Sequence, residues 1–164
     1  MAEVRRGGED DIDELVRLRG VMFASMEGVM DTTGDWEAPC AEVFRRGLAD
    51  DSVVAFVVDA PDGGGLACCG VATVAARLPG PGNLTGRYGY VQSMATDERW
   101  RRRGYGRDVF AALVDWFRAE GVAADDLHAT TSGEPLYRSF GFREGETIEL
   151  RWRARWFTET PDSA

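Results

Sequence analysis

The sequence predicts one α/β domain of the α+β kind, with helices packed around a mixed sheet. Three observations predict it. Apolar residues recur at helical spacing in residues 12–26, 36–49 and 109–117. Between residues 53 and 96 the pattern changes to three extended apolar runs divided by Pro- and Gly-rich breaks. The chain has 164 residues, 44% hydrophobic and 29% charged. That is an ordinary single-domain length, able to bury about 68–70% of its unfolded surface without a disulfide or metal.

The elements follow in order. Glu3–Arg6 is a short opening strand. Asp10 and Asp11 stand where a helix starts, where acids favour the first turn. Ile12, Leu15, Val16, Met22, Phe23 and Met26 form its apolar stripe, and Arg19 falls on that stripe and interrupts it. After a Gly-, Asp- and Thr-rich break from Gly28 to Asp35, a second helix is predicted over Trp36–Ala49, burying Val43, Phe44 and Leu48. Val53–Val58 reads as a buried strand. Residues 59–65 (Asp-Ala-Pro-Asp-Gly-Gly-Gly) turn the chain into a second strand over Leu66–Ala76, completing a hairpin. Residues 79–83 break again, and Tyr88–Thr96 is a third strand. Val109, Phe110, Leu113, Val114 and Phe117 make a strong helical stripe that Gly121 stops. Leu127–Thr130 is a short strand, a short helix spans Pro135–Phe140 before Gly141, and Phe142–Trp156 reads as one long strand. No repeat, linker or second core is visible, which predicts a single domain over residues 1–157 and a flexible tail over 158–164.

Composition narrows the function. The longest apolar run is too short to cross a membrane, and the acidic opening lacks the apolar core of a signal peptide. Three cysteines (Cys40, Cys68, Cys69) without CxxC spacing, and a single histidine, predict no metal site and a reduced, cytoplasmic setting. The net charge of −9 disfavours nucleic acid as a partner and favours cationic ones. Residues 1–90 carry 15 acids and 8 arginines, against 13 and 11 in residues 91–164. All basic residues are arginine, so the chain holds no lysine to acylate itself.

The most informative segment is residues 94–107, Met-Ala-Thr-Asp-Glu-Arg-Trp-Arg-Arg-Arg-Gly-Tyr-Gly-Arg. A strand ends, a polar turn follows, and a helix begins within Arg-Gly-Tyr-Gly-Arg. Such a turn offers backbone N–H groups at a positive helix end, which suits a pyrophosphate-sized anion. Gly104 lets a phosphate approach closely. Gly106 lies in the first helical turn, where glycine costs roughly 1 kcal/mol relative to alanine. Arg101, Arg102, Arg103 and Arg107 can add charge-assisted bonds. The spacing is neither GxxxxGK[ST] nor GxGxxG. A solvated basic patch at a helix start is the alternative reading of the same residues.

Here the sequence resembles the GCN5-related N-acetyltransferases. Their signature, [Q/R]-x-x-G-x-[G/A] between a strand and a helix, is matched by Arg101-Arg102-Arg103-Gly104-Tyr105-Gly106. A second landmark, a tyrosine on a short helix followed by Gly-Phe, is matched by residues 135–142, Pro-Leu-Tyr-Arg-Ser-Phe-Gly-Phe. The element order is also that of the family. The resemblance implies a mostly antiparallel central sheet of six to seven strands flanked by about four helices. It implies acetyl-CoA as donor, with the pantetheine arm beside Met94, Ala95 and Thr96 and the pyrophosphate on the amides of Arg102 to Arg107. Thr130 or Ser132 would replace a family asparagine that is missing here. The oxyanion donor would be the N–H of Met94 or Ala95.

Tyr137 is implied as the general acid that protonates the departing thiolate, the alternative being an aromatic that packs the short helix. His128 falls where some relatives carry a catalytic glutamate, and its ordinary pKa near 6.5 suits proton uptake. A hydrogen-bonded structural role for His128 stays open, and Tyr90 and Gln92 are further candidates. Adjacent Cys68 and Cys69 must point to opposite faces of a strand, so they are read as core residues. The family's acceptor wall would be built here by Met22, Phe23, Met26, Glu27, Asp31, Asp35, Trp36 and Glu37, an acidic and aromatic set suited to a cationic amine. The expected activity is direct transfer of an acetyl group to a primary amine of a small molecule. Acetylation of a protein N-terminus or lysine, and a non-enzymatic acyl-CoA-binding module, are the alternatives. No membrane partner is expected, and a homodimer is compatible with the sequence.

Overall fold

The computed structural model describes residues 2–26 and 35–145. Its chain forms two compact units, Met1–Thr130 and Thr131–Ala164. The first holds a five-stranded sheet in the order β1-β2-β3-β4-β5. The strands are β1 (Arg5–Arg6), β2 (Val53–Asp59), β3 (Leu66–Ala76), β4 (Arg87–Thr96) and β5 (Ala123–Leu127). Pairing is antiparallel from β1 to β4 and parallel between β4 and β5. The helices are α1 (Ile12–Ala24), α2 (Glu37–Ala49) and α3 (Tyr105–Ala119), with α4 (Glu134–Ser139) in the second unit. The sheet is mixed and mostly antiparallel, and the described residues hold four α-helices, as expected. It shows five strands among the described residues. Of the predicted strand Phe142–Trp156, residues 142–145 are described and form no strand, and the rest lies outside the described residues, as does the predicted tail.

Side-chain alternation along the strands sorts the core into two faces. On one, Leu15, Leu18 and Phe44 of α1 and α2 pack on Val53, Val57, Cys69, Val71 and Ala95. On the other, Val109 of α3 packs against Val58, Ala67 and Cys68. Two glycines let α3 close on the sheet: a Cβ at Gly70 would stand 2.7 Å from Val109 Cγ1, and one at Gly89 would stand 2.5 Å from the Phe117 ring. Cys68 and Cys69 face opposite sides and are fully buried. Burial pushes the Cys68 thiol up to about 11 and Cys69 higher still, so both stay protonated core residues.

Two predicted boundaries and one predicted burial are corrected. β1 covers only Arg5–Arg6 of the expected Glu3–Arg6. Val43 is not buried but 50% exposed. The inward stripe of α2 runs through Phe44 and Gly47, and Gly47 must lack a side chain because a Cβ would meet Val53 Cγ2 at 2.3 Å. β5 is Ala123–Leu127, not Leu127–Thr130. Its Ala-Ala-Asp-Asp opening has weak strand propensity, but an edge strand takes its place from the ladder it joins. Here Tyr88 to Val91 hold it, with Ala123 opposite Tyr88 and Leu127 opposite Val91.

Candidate active site

Strand β4 carries the site. Its register with β3 shifts between Val71 and Ala72, which face Ser93 and Val91, so Gln92 is the extra residue of a β-bulge. The bulge inverts the alternation. Gly89 faces α3, yet four residues on Ser93 is buried toward α1, alongside Ala95. Among the described residues no strand lies beside the outer edge of β4 beyond Val91, where β5 ends at Leu127. The Asp97 N–H bonds the Ala67 carbonyl at 2.9 Å. In an antiparallel ladder this phase turns the backbone groups of Ser93 and Ala95 toward β3 and those of Met94 and Thr96 toward the open edge. Of the two expected oxyanion donors, Met94 therefore has the available N–H, and Ala95 spends its own on the sheet. The Thr96 carbonyl accepts from Arg101 Nε at 3.3 Å.

The turn that follows is a row of unspent amides. Asp97 caps a single 3₁₀ turn, Glu98–Trp100, by accepting the Arg99 N–H at 3.1 Å. Arg102 (φ +60°) and Gly104 (φ +85°) are both left-handed. That alternation folds successive N–H groups inward as an anion nest. The Arg107 and Asp108 amides donate to the Gly104 carbonyl at 3.0 and 3.1 Å. The amides of Arg102, Arg103, Gly104, Tyr105 and Gly106 have no acceptor among the described residues. The predicted cradle is thus shortened by one, since Arg107 has its amide engaged. The α3 N-terminus has no side-chain cap. A Cβ at Gly106 would meet only Thr96 Oγ1, at 3.7 Å, so packing inside the protein does not demand glycine there. The residues fit a diphosphate: free donors, a positive helix end and space above the backbone.

The arginines differ in availability. Arg101 also pairs with Glu98 at 3.6 Å, and Arg103 stacks over Trp100 at 4.9 Å. Arg102 is exposed with no ion pair among the described residues. Beneath the turn, Asp97 Oδ2 accepts from Arg17 Nη1 at 2.8 Å and Oδ1 from Arg99 Nε at 3.2 Å. Arg17 also bonds Glu14 and the Leu66 carbonyl, tying the turn to α1 and the start of β3. Arg99 foremost, with Arg17, holds the Asp97 carboxyl down at about 2. A cavity of about 520 Å³ opens beside Arg103 and Tyr105, lined also by Glu3, Arg5, Asp59 and Pro61. It lies at the β2 side of the turn, away from the open edge of β4.

On the α1 face, the Tyr90 hydroxyl meets Nδ1 of His128, with ring centroids 5.8 Å apart. His128 and Thr130 lie just past the end of β5 rather than within it, and both are exposed. Gln92 Nε2 donates to Thr73 Oγ1 at 3.2 Å. Phe23 and Trp36 meet edge to face at 5.3 Å, forming the described aromatic part of the expected acceptor wall. Met22 is half-buried against the same core, and Met26 is half-buried in the turn after α1. Asp35 and Glu37 are exposed. Glu27 and Asp31 lie outside the described residues. Sequence reasoning missed Arg19, whose Nη1 donates to Ser93 Oγ at 2.6 Å and to the Gln92 carbonyl at 3.3 Å. Its one signal was a cation on an apolar stripe.

In the second unit, Tyr137 is buried on α4. Gly141, at φ +93°, ends the helix in a Schellman motif: Phe142 N–H bonds the Tyr137 carbonyl at 3.2 Å and Gly141 N–H that of Arg138 at 3.0 Å. The Phe142 ring packs edge-on to Tyr137 at 6.4 Å, the contact this motif favours. Burial raises the Tyr137 phenol above its ordinary value of 10.0, so it is protonated at neutral pH. Ser132 is exposed at the start of this unit.

The sequence matches the family model for the acetyltransferase (GNAT) family over residues 23–142. The chain belongs to the GNAT family of acetyltransferases. No curated protein matches it. Solved GNAT-like structures do. A predicted acetyltransferase with acetyl-CoA from Clostridium acetobutylicum is similar at 24% identity and TM-score 0.79, over 92% of this chain and 96% of that one. A GCN5-related N-acetyltransferase from Ralstonia eutropha JMP134 is similar at 26% identity and TM-score 0.78, over 92% and 97%. Glucosamine-6-phosphate N-acetyltransferase from Arabidopsis thaliana has a similar fold at 16% identity and TM-score 0.67, over 92% and 97%. Among the described residues no His, Cys, Asp and Glu group could hold a metal, and no helix is long and apolar enough to cross a membrane.

Proposed function

We propose that this GNAT acetyltransferase moves the acetyl group of acetyl-CoA directly to a primary amine of a small molecule within a ternary complex. The observation that carries the reading is the run of five unspent amides, Arg102 to Gly106, in the turn that directly follows β4, whose outer edge is unpaired among the described residues. A diphosphate on those amides directs its attached chain along Met94 to Thr96, where an amide-bearing arm can add to the sheet edge as a further strand does. Acetyl-CoA supplies an activated thioester. Thr130 and Ser132 are the polar groups proposed for hydrogen bonds to the donor.

The chain's own groups then divide the work. The Met94 N–H, facing the open edge, stabilises negative charge on the acetyl oxygen. The acceptor amine is protonated in solution, with a pKa near 10.4 for a lysine-like amine, and must lose a proton. In the neutral tautomer that carries its proton on Nε2, His128 Nδ1 accepts from the Tyr90 phenol. An ammonium proton accepted by the Tyr90 oxygen is matched by the phenol proton moving to Nδ1, which leaves neutral Tyr90 and a His128 imidazolium. Tyr137, kept protonated by its burial, is the proposed donor to the leaving thiolate. Gln92, Trp36 and Met26 are proposed contacts of the acceptor, with Glu27, Asp31 and Glu37 attracting its positive charge. The amino-sugar enzyme of similar fold supports a small acceptor.

Varying acetyl-CoA and a primary amine together tests the reading. Intersecting double-reciprocal lines are expected. Parallel lines, or an acetylated protein formed from acetyl-CoA alone, would overturn direct transfer.

A further inference from the structure

We infer that Arg19 reads a carboxylate on the acceptor, so the substrate class is amines that carry a carboxylate close to the amino group. This rests on the proposed activity and sharpens its acceptor. The side chain stands on the inward stripe of α1, four residues after fully buried Leu15. Its guanidinium lies over the Phe23 ring at 4.8 Å. Both of its hydrogen bonds, to Ser93 Oγ and the Gln92 carbonyl, come from Nη1. A guanidinium has five N–H donors. The three on Nε and Nη2 therefore have no acceptor among the described residues, and they form the side-by-side edge that grips a carboxylate with two parallel bonds.

No acid of the described residues pairs with Arg19, although the chain holds 28 acids. Arg17, two residues earlier, is bonded to both Glu14 and Asp97. A half-buried cation without a counter-charge is costly to keep, and an arriving carboxylate relieves that cost. The place is right for it. Arg19 is anchored on Ser93, the neighbour of Met94, whose N–H faces the open edge of β4, and adjacent strand residues are about 3.3 Å apart. A carboxylate on Arg19 would thus be held on the same stretch of β4 beside which the amine attacks. Binding through Nη1 also fixes the guanidinium plane before substrate arrives.

The test compares matched pairs: glycine with glycinamide, β-alanine with its amide, and longer ω-amino acids with theirs. For the wild-type enzyme and Arg19→Met, kcat/KM is measured by thiol release from acetyl-CoA. The acid should be preferred over its amide by about ten- to hundredfold in at least one pair, the worth of a charge-assisted bond. In Arg19→Met that ratio should fall to about one, and Arg19→Lys should restore only part of it. Equal use of acid and amide by the wild-type enzyme, which needs no folded variant, overturns the inference and leaves the N-acetyltransferase reading standing. An unchanged ratio in folded Arg19→Met overturns it as well. Transfer to no amine of any pair, alongside transfer to another small primary amine, overturns the inference alone, and transfer to no primary amine at all overturns both.

Discussion

Asp97 supports the anion-binding turn, and Asp97→Asn measures how much. The side chain is 11% exposed and receives Arg17 Nη1, Arg99 Nε and the Arg99 N–H. Asparagine keeps an acceptor for the amide and removes the charge, so it isolates the electrostatic part. The carboxyl sits at about 2 against an ordinary 3.8. That displacement corresponds to about 2.5 kcal/mol. Arg99 is solvent-exposed, so screening trims the expected loss to about 2 kcal/mol. The sign is fixed by the direction. A lowered folded pKa gives stability that is complete above the unfolded value and is lost as pH falls through the folded one. Urea denaturation of both proteins should show a gap of about 2 kcal/mol at pH 7, shrinking between about pH 4 and pH 2. The loosened turn should also raise KM for acetyl-CoA by about five- to tenfold, with a smaller change in kcat. A gap below about 0.5 kcal/mol, or one that does not close on acidification, would refute the reasoning.

Three further outcomes are expected. Tyr137→Phe should lower kcat by about 10²-fold with an unchanged melting curve, the range of one general acid, and an unchanged kcat removes the role. His128→Ala should erase the acidic limb of the pH–rate profile, and Tyr90→Phe should reproduce the effect, since the relay needs both; an intact limb in either variant removes the pair as base. Arg102→Gly should stabilise the fold by about 1 kcal/mol in thermal or urea melts, because the left-handed backbone at φ +60° strains a residue with a side chain; a destabilised variant would show that the strain is absent.

Much of this was legible wherever local chemistry decides. The β3 boundaries follow from an apolar run between two glycine-rich breaks, and the inner face of α3 from its 3.6-residue stripe. Gly104 and Gly141 occupy the left-handed positions that the turn and the helix stop require. What was not legible comes from long-range pairing. The bulge at Gln92 leaves no mark in the residue types, yet it inverts which β4 side chains face α1. β5 begins at Ala123 because the β4 ladder holds it, against its own propensity. Tyr90 and His128 are 38 residues apart in sequence and meet only through that register. Arg19 broke a pattern, but only the contact with Ser93 shows where its free donors are aimed.

The most direct measurement is thiol release from acetyl-CoA across a panel of small primary amines, with products identified by mass spectrometry. Amine-dependent release, matched mole for mole by the N-acetylated amine, is expected. Acetyl-CoA binding with no amine-dependent release, or release that yields only acetate, would contradict it.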